Sequence, residues 1–112
     1  MAIEADILRG YTDTILLARL AQGDSYGYLI NKRIGEISQG EVELKEATLY
    51  TAFRRLEKDG CISSYWGDET TGARRRYYRL TQEGKRRLIE ERDAWQSTRQ
   101  MLDMLIGDGY DD

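Results

Sequence analysis

The stretch Leu44-Lys45-Glu46-Ala47-Thr48-Leu49-Tyr50-Thr51-Ala52-Phe53-Arg54-Arg55-Leu56-Glu57-Lys58-Asp59-Gly60 decides how the rest of the chain is read. Ala47, Leu49, Tyr50, Phe53 and Leu56 contain an apolar stripe at helical spacing, which predicts a helix over roughly 46–59. Asp59-Gly60 ends it. Thr48, Thr51, Arg54, Arg55 and Lys58 fall on the other face.

Upstream, Ile7, Leu8, Tyr11, Ile15, Leu16, Ala18 and Leu20 predict a helix over about 6–21, closed by Gln22-Gly23-Asp24. Asp24 or Ser25 is suited to cap a second helix over about 25–38, with Tyr26, Leu29, Ile30, Ile34 and Ile37 inward. Glu41-Val42-Glu43-Leu44 alternates polar and apolar and reads as a short strand. Downstream, Cys61-Ile62-Ser63-Ser64-Tyr65-Trp66 reads as a strand and residues 67–72 as a turn with glycine at each end. Arg74-Arg75-Arg76-Tyr77-Tyr78-Arg79-Leu80 follows as a second strand, making a hairpin with a long tip.

Thr81 is placed to cap a last helix over 82–106. Leu88, Trp95 and Leu102 recur every seven residues along it, and Leu105 follows. At the standard rise such a helix is about 37 Å long, longer than a small domain needs for its own core. Its apolar side is therefore expected to meet a second copy through Leu88, Trp95, Leu102 and Leu105. Residues 107–112 are expected to be a disordered tail.

Composition narrows the function. The chain has 112 residues, 40% of them hydrophobic and 33% charged, which fits one folded domain rather than a disordered segment. No apolar run approaches the roughly 18 residues that suggest a membrane span. The acidic start Met1-Ala2-Ile3-Glu4-Ala5-Asp6 lacks the basic and apolar regions of a signal peptide. The single cysteine, Cys61, has no partner for an internal disulfide, which suits a reducing cytoplasm. There is no histidine, which removes Ser-His-Asp and Cys-His nucleophilic sites and every His-ligated metal. No cofactor and no enzymatic activity are expected, and acidic pairs such as Glu90-Glu91 are too common on helices to indicate acid-base catalysis.

The net charge of −3 is unevenly spread. Residues 1–44 carry four basic and seven acidic side chains, residues 45–92 twelve and eight, residues 93–112 one and five. A basic middle between acidic ends can mark a nucleic-acid surface; it also fits a solvated face of mixed charge.

Three helices, a hairpin and a long terminal helix, in that order, describe a winged helix-turn-helix: a mainly α (α+β) fold. Residues 1–81 would form the DNA-binding unit and 82–106 the dimerisation helix. The helix over 46–59 would enter the major groove, where short polar and basic side chains reach base edges. Lys45, Thr48, Tyr50, Thr51 and Arg54 are available for this, although Tyr50 also suits the core. Arg74, Arg75 and Arg76 would hold phosphates from the wing, positioning the protein without reading sequence.

The quoted helix, together with Gly23-Asp24-Ser25-Tyr26-Gly27-Tyr28 and Gly72-Ala73-Arg74-Arg75-Arg76-Tyr77-Tyr78-Arg79-Leu80-Thr81, resembles the PadR family of bacterial transcriptional regulators. The size, with one C-terminal helix, is similar to the short subfamily, which contains regulators of multidrug-efflux genes. The resemblance implies a homodimer that represses a promoter through a pseudo-palindromic double-stranded operator. It favours a DNA contact for Tyr50, and carries over Thr48 and the wing arginines. Many members have proline and glycine before Thr-Leu-Tyr, whereas this chain has Glu46-Ala47, which places a carboxylate near the phosphates.

Trp95 occupies the place of a tryptophan that, in some short members, stacks flat aromatic compounds against its two-fold mate; the plainer reading is a packing residue of the dimer interface. Arg92 and Arg99 share its helix face and, with Leu102, complete the expected effector site. The two cations suit a neutral or anionic planar aromatic rather than a cationic drug. A ligand-responsive repressor is the leading expectation. The alternative is a winged-helix interaction module that does not touch DNA, since fold does not prove function.

Overall fold

The computed structural model describes residues 8–67 and 74–107. The elements run α1 (Thr12–Leu20), β1 (Ser25–Tyr26), α2 (Gly27–Ile37), α3 (Glu46–Lys58), β2 (Ile62–Trp66), β3 (Arg76–Leu80) and α4 (Gln82–Ile106). This is the winged helix-turn-helix that the sequence order implied. The first residues of the expected first helix, the tip over 68–72 and the tail from 108 onward lie outside the described residues.

Leu16, Leu17 and Leu20 of α1, Ile30 and Ile34 of α2, and Leu49, Ala52, Phe53 and Leu56 of α3 meet in one core. Cys61, Ile62, Tyr78 and Leu88 join it from the wing and α4. Burial of these apolar side chains, about 1.5–3 kcal/mol for each large one, is the main force that seats α3. Phe53 stacks on Tyr78 with ring centroids 4.0 Å apart, fastening α3 to the middle strand of the wing. Ala47, expected on the inward stripe, is exposed, and Ala52 takes the place in the core. The buried set is the arc 49, 52, 53, 56, which fits the helical repeat better than one including residue 47. Ile37, expected inward, is also exposed, because it lies in the last turn of α2 beyond the reach of the core.

The sheet has strand order β1-β3-β2, all antiparallel. β1 arises where a helix start was expected. Ser25 and Tyr26 pair with Tyr78 and Tyr77, so the backbone of Tyr26 is extended and α2 begins only at Gly27, with no side-chain cap. Likewise α1 begins at Thr12, after a turn in which the Tyr11 N–H donates to the Leu8 carbonyl at 2.8 Å.

Residues 41–44 do not form the expected strand. The Asn31 side-chain amide takes the place of a partner strand: its Nδ2 donates to the Leu44 carbonyl at 2.8 Å and its Oδ1 accepts from the Leu44 N–H at 3.1 Å. Ser38 Oγ accepts from the Val42 N–H at 3.0 Å. The alternation is real, since Leu44 is buried and Glu43 exposed, but these side chains satisfy the backbone locally.

α3 is closed off after Lys58 by Asp59 and by Gly60, whose φ of 76° lies in the left-handed region, and the Cys61 N–H closes back on the Leu56 carbonyl at 2.9 Å. α4 starts as expected, with Thr81 Oγ1 accepting from the Gly84 N–H at 3.0 Å. Leu88 belongs to the core of its own chain, at 5% exposure, which removes it from the exposed seam where it was expected. It lies early in α4, where the helix still crosses the domain; every residue over 92–107 is exposed. Among the described residues no helix is long and apolar enough to cross a membrane.

Candidate nucleic-acid interface

α3 presents an exposed face of Ala47, Thr51, Arg54 and Lys58. Arg54 Nη2 donates to Thr51 Oγ1 at 3.3 Å, so the guanidinium leans along the helix toward its start. Lys45 precedes the first turn with extended backbone and an exposed side chain. Thr48 and Tyr50 flank this face on opposite sides, about 160° apart around the axis at 100° per residue. Thr48 is exposed beside Arg9 and Arg55.

Tyr50 combines both roles that its sequence position allowed. Its ring meets Phe53 edge-on at 5.8 Å, yet the residue remains 36% exposed. It lines an open groove of about 530 Å³ between α2 and α3, with Tyr28, Lys32, Glu43 and Glu46 on the other walls.

The wing arginines rest on aromatic rings. The Arg74 guanidinium lies 4.7 Å from the Trp66 ring, Arg76 5.7 Å from the same ring, and Arg75 4.8 Å from Tyr26. Tyr26, Tyr77 and Tyr65 form a ladder beneath them, with centroids 5.3 and 5.6 Å apart. At exposed sites each cation–π contact is worth about 0.5–1 kcal/mol, enough to bias the long side chains while leaving their charges at the surface. Arg76 also approaches Glu57 of α3 at 3.7 Å. Asp24 accepts from Arg79 Nε at 3.1 Å and from the Tyr65 hydroxyl at 2.6 Å, and that bond holds the Tyr65 phenol above its ordinary value.

Asp24 was expected as a helix cap and instead accepts from the wing, and the Tyr26–Tyr77–Tyr65 ladder was not singled out from the sequence. Glu57 and Trp66 were read only as positions in a helix and a strand.

A second unforeseen cluster sits where α1, α3 and α4 meet. The Arg87 guanidinium donates to Asp13 at 3.0 Å, Asp59 at 3.3 Å and Glu91 at 2.6 Å. Arg55 of α3 grips the same Asp13, with Nε 3.1 Å from Oδ2 and Nη2 bonded to Oδ1. Thr14 donates to Glu91. Both guanidinium groups are pushed above their ordinary value, Arg55 chiefly by the bond to Asp13 and Arg87 chiefly by the bond to Glu91. The charge on Arg55 thus fixes the helix rather than facing outward with Thr51 and Arg54.

Trp95 lies on a groove of about 590 Å³ between the α1 region and α4, shared with Tyr11, Thr14 and Thr98 and with Arg9, Arg55 and Arg87. Arg99 lies 5.6 Å from the Trp95 ring. Arg92 is exposed and is not part of the groove wall, and Leu102 lines a separate depression with Asp103 and Ile106. Within one chain, then, Arg99 stays with Trp95 while Arg92 and Leu102 do not share its groove, and Arg9, Arg55 and Arg87 add cations from elsewhere in the fold.

A helix-turn-helix followed by a wing with basic side chains at its surface places the chain in the winged-helix class. Residues 16–90 match the Transcriptional regulator PadR-like family. The chain is 38% identical over 104 residues to an uncharacterized protein of Lysinibacillus sphaericus, covering 93% of this chain and 95% of that one. A solved transcriptional regulator from Clostridium thermocellum is 46% identical with a TM-score of 0.84, over 92% of this chain and 97% of that one. A solved PadR family transcription regulator from Clostridium difficile is 36% identical with a TM-score of 0.78, over 87% and 99%. The chain belongs to the PadR-like family of transcriptional regulators. It is a DNA-binding regulator and not an enzyme.

Proposed function

We propose that the chain is a ligand-responsive repressor that works in the cytoplasm as a homodimer on a pseudo-palindromic operator, controlling efflux or stress genes. Lys45, Thr48, Tyr50, Thr51 and Arg54 meet base edges and nearby backbone, while Arg74, Arg75 and Arg76 hold phosphates. A neutral or anionic planar aromatic is the effector, stacked on Trp95.

The observation that carries this reading is the division of α4. Its first turns lie on the DNA-binding domain and seat Leu88 in the core, whereas its exposed second half displays Trp95, Leu102 and Leu105. Leu102 is 48% and Leu105 74% exposed, which is costly for a helix left in water and natural for one that meets its mate. The groove at Trp95 also touches Arg55 of α3, so a ligand there borders the helix that reads DNA. To regulate, the ligand must bind two arrangements of the dimer with different affinity.

A mobility-shift assay on the region upstream of the protein's own gene, with and without planar aromatic compounds, tests the reading, with light scattering on the same samples. A dimer whose shifted band weakens or strengthens with a compound, but not in Trp95→Ala, is expected. A monomeric mass at micromolar concentration contradicts the assembly. A dimer that retards its own upstream DNA and random DNA equally contradicts the operator.

A further inference from the structure

We propose that Glu46 selects a cytosine in each half of the operator. This rests on the reading of α3 as the helix that enters the major groove. Glu46 is the first residue of α3, exposed, and its side chain forms one wall of the α2–α3 groove beside Tyr50 and Lys32. No described residue gives its carboxylate a hydrogen bond or an ion pair. A carboxylate in the first turn gains a little from the helix dipole. That gain holds in free protein as well, and does not offset the approach to phosphates that DNA binding brings.

The chemistry of the groove identifies what does. An ionised carboxylate accepts hydrogen bonds and donates none. In the major groove guanine shows the acceptors N7 and O6, and thymine the acceptor O4 and a methyl group. Only the amino groups of cytosine and adenine donate. Adenine sets its N7 acceptor next to the amino group, so the second carboxylate oxygen would face a lone pair. Cytosine has no acceptor on that edge. The carboxylate of Glu46 therefore complements cytosine N4 and opposes the other three bases. Its negative charge also weakens attachment to random DNA, where no amino group is in register, so one side chain raises discrimination from both directions.

Selection from a randomised duplex pool by the intact protein, as wild type, Glu46→Gln and Glu46→Ala, tests this. Wild type is expected to enrich one cytosine per half-site that Glu46→Ala no longer enriches, with the remaining positions unchanged. Glu46→Gln is expected to move the preference to adenine, because an amide pairs with both N6 and N7. Changing that cytosine to thymine should cost wild type about tenfold in affinity and cost Glu46→Ala nothing. Both variants should bind random DNA more tightly than wild type. Identical base preferences in all three proteins, or equal gains in affinity on selected and random DNA, overturn the proposal while leaving the operator reading intact. A wild type that enriches no sequence overturns both. Thermal melting of the free variants separates a helix-end role, which would lower the midpoint without moving any base preference, and that result also overturns the assignment.

Discussion

The Tyr50 phenol lies directly over Gly27: a methyl group at residue 27 would stand 2.5 Å from the Tyr50 oxygen and 3.4 Å from Leu49 Cδ2. Gly27 opens α2 and Tyr50 sits one turn into α3, so the two helices approach closely here because residue 27 has no side chain. The nearest atom is the far end of a flexible side chain, and its ring can swing outward. Gly27→Ala is therefore expected to leave stability within about 1 kcal/mol of wild type while displacing Tyr50. The ratio of operator to random-DNA affinity should fall, as it should in Tyr50→Phe if the hydroxyl touches DNA. Unchanged discrimination in both variants would make Tyr50 a packing residue alone.

The wing arginines differ in what already holds them. Arg75 stacks on Tyr26, whereas Arg76 stacks on Trp66 and faces Glu57 at 3.7 Å. Each phosphate contact contributes about 0.9 to the slope of log affinity against log salt. Arg75→Ala should reduce that slope by about this amount on every sequence. Arg76→Ala should reduce it less, because Glu57 already offsets part of its charge. Glu57→Gln is expected to tighten binding to all DNA. Binding titrations over a salt series decide it; equal slopes in wild type and Arg75→Ala would place the wing away from the phosphates.

The fold was largely legible because its signals are local. The 3.6-residue stripe of α3, the Asp59-Gly60 stop and the Thr81 cap each act within a few residues; the stop and the cap stand where they were expected, and the stripe departs in burying Ala52 in place of Ala47. The departures come from partners distant in sequence. Residues 41–44 look like a strand until Asn31 takes the backbone of Leu44, and Ser25-Tyr26 looks like a helix start until Tyr77 and Tyr78 pair with it. The basic wing could be read directly from three consecutive arginines. The rings beneath them could not, because Tyr26 and Trp66 reach the arginines only through the sheet register. The same holds for the charge on Arg55, which looked solvent-facing on the helix and is spent on Asp13, 42 residues away.

Tyr78 makes stability depend on pH at the alkaline end. It is 4% exposed and stacked on Phe53, and burial pushes its phenol above the ordinary 10.0, opposed in part by the nearby Arg76 guanidinium. The folded state thus holds this proton more tightly than the unfolded chain does. Its contribution is complete below about pH 10, the unfolded value, and is lost as pH rises through the raised folded value. Denaturant midpoints measured from pH 8 upward should stay level to about 10 and then fall, by at most about 1.4 kcal/mol per pH unit for one proton. Tyr65, raised by its bond to Asp24, ionises in the same range, so Tyr78→Phe should reduce the fall rather than abolish it. An alkaline fall identical in Tyr78→Phe would mean that the buried phenol does not titrate with unfolding.

Arg87 is where α4 is fastened to α1 and to the end of α3. It is 27% exposed, and Asp13, which it shares with Arg55, is 16% exposed, so the bonds among them are shielded from water more than an ordinary surface pair. Charge-assisted hydrogen bonds of this kind contribute about 1.5–3 kcal/mol each when lost against a partly buried partner, and isolated surface pairs far less. Among the described residues, Arg87→Ala leaves Glu91 with the Thr14 hydroxyl and Asp13 with Arg55. A loss of about 2 kcal/mol is expected, read as a lower denaturant midpoint at unchanged slope. Arg87→Lys should recover only part of it, because one ammonium cannot span Asp13, Asp59 and Glu91 as the planar guanidinium does. Arg55→Ala should cost less, since its side chain is 48% exposed and Arg87 remains on Asp13. A double-mutant cycle on Arg55 and Arg87 should then be non-additive, because either arginine alone keeps Asp13 paired. Additive losses, or an Arg87→Ala midpoint equal to wild type, would mean that the three helices are held by their apolar core alone and that the cluster is only surface charge.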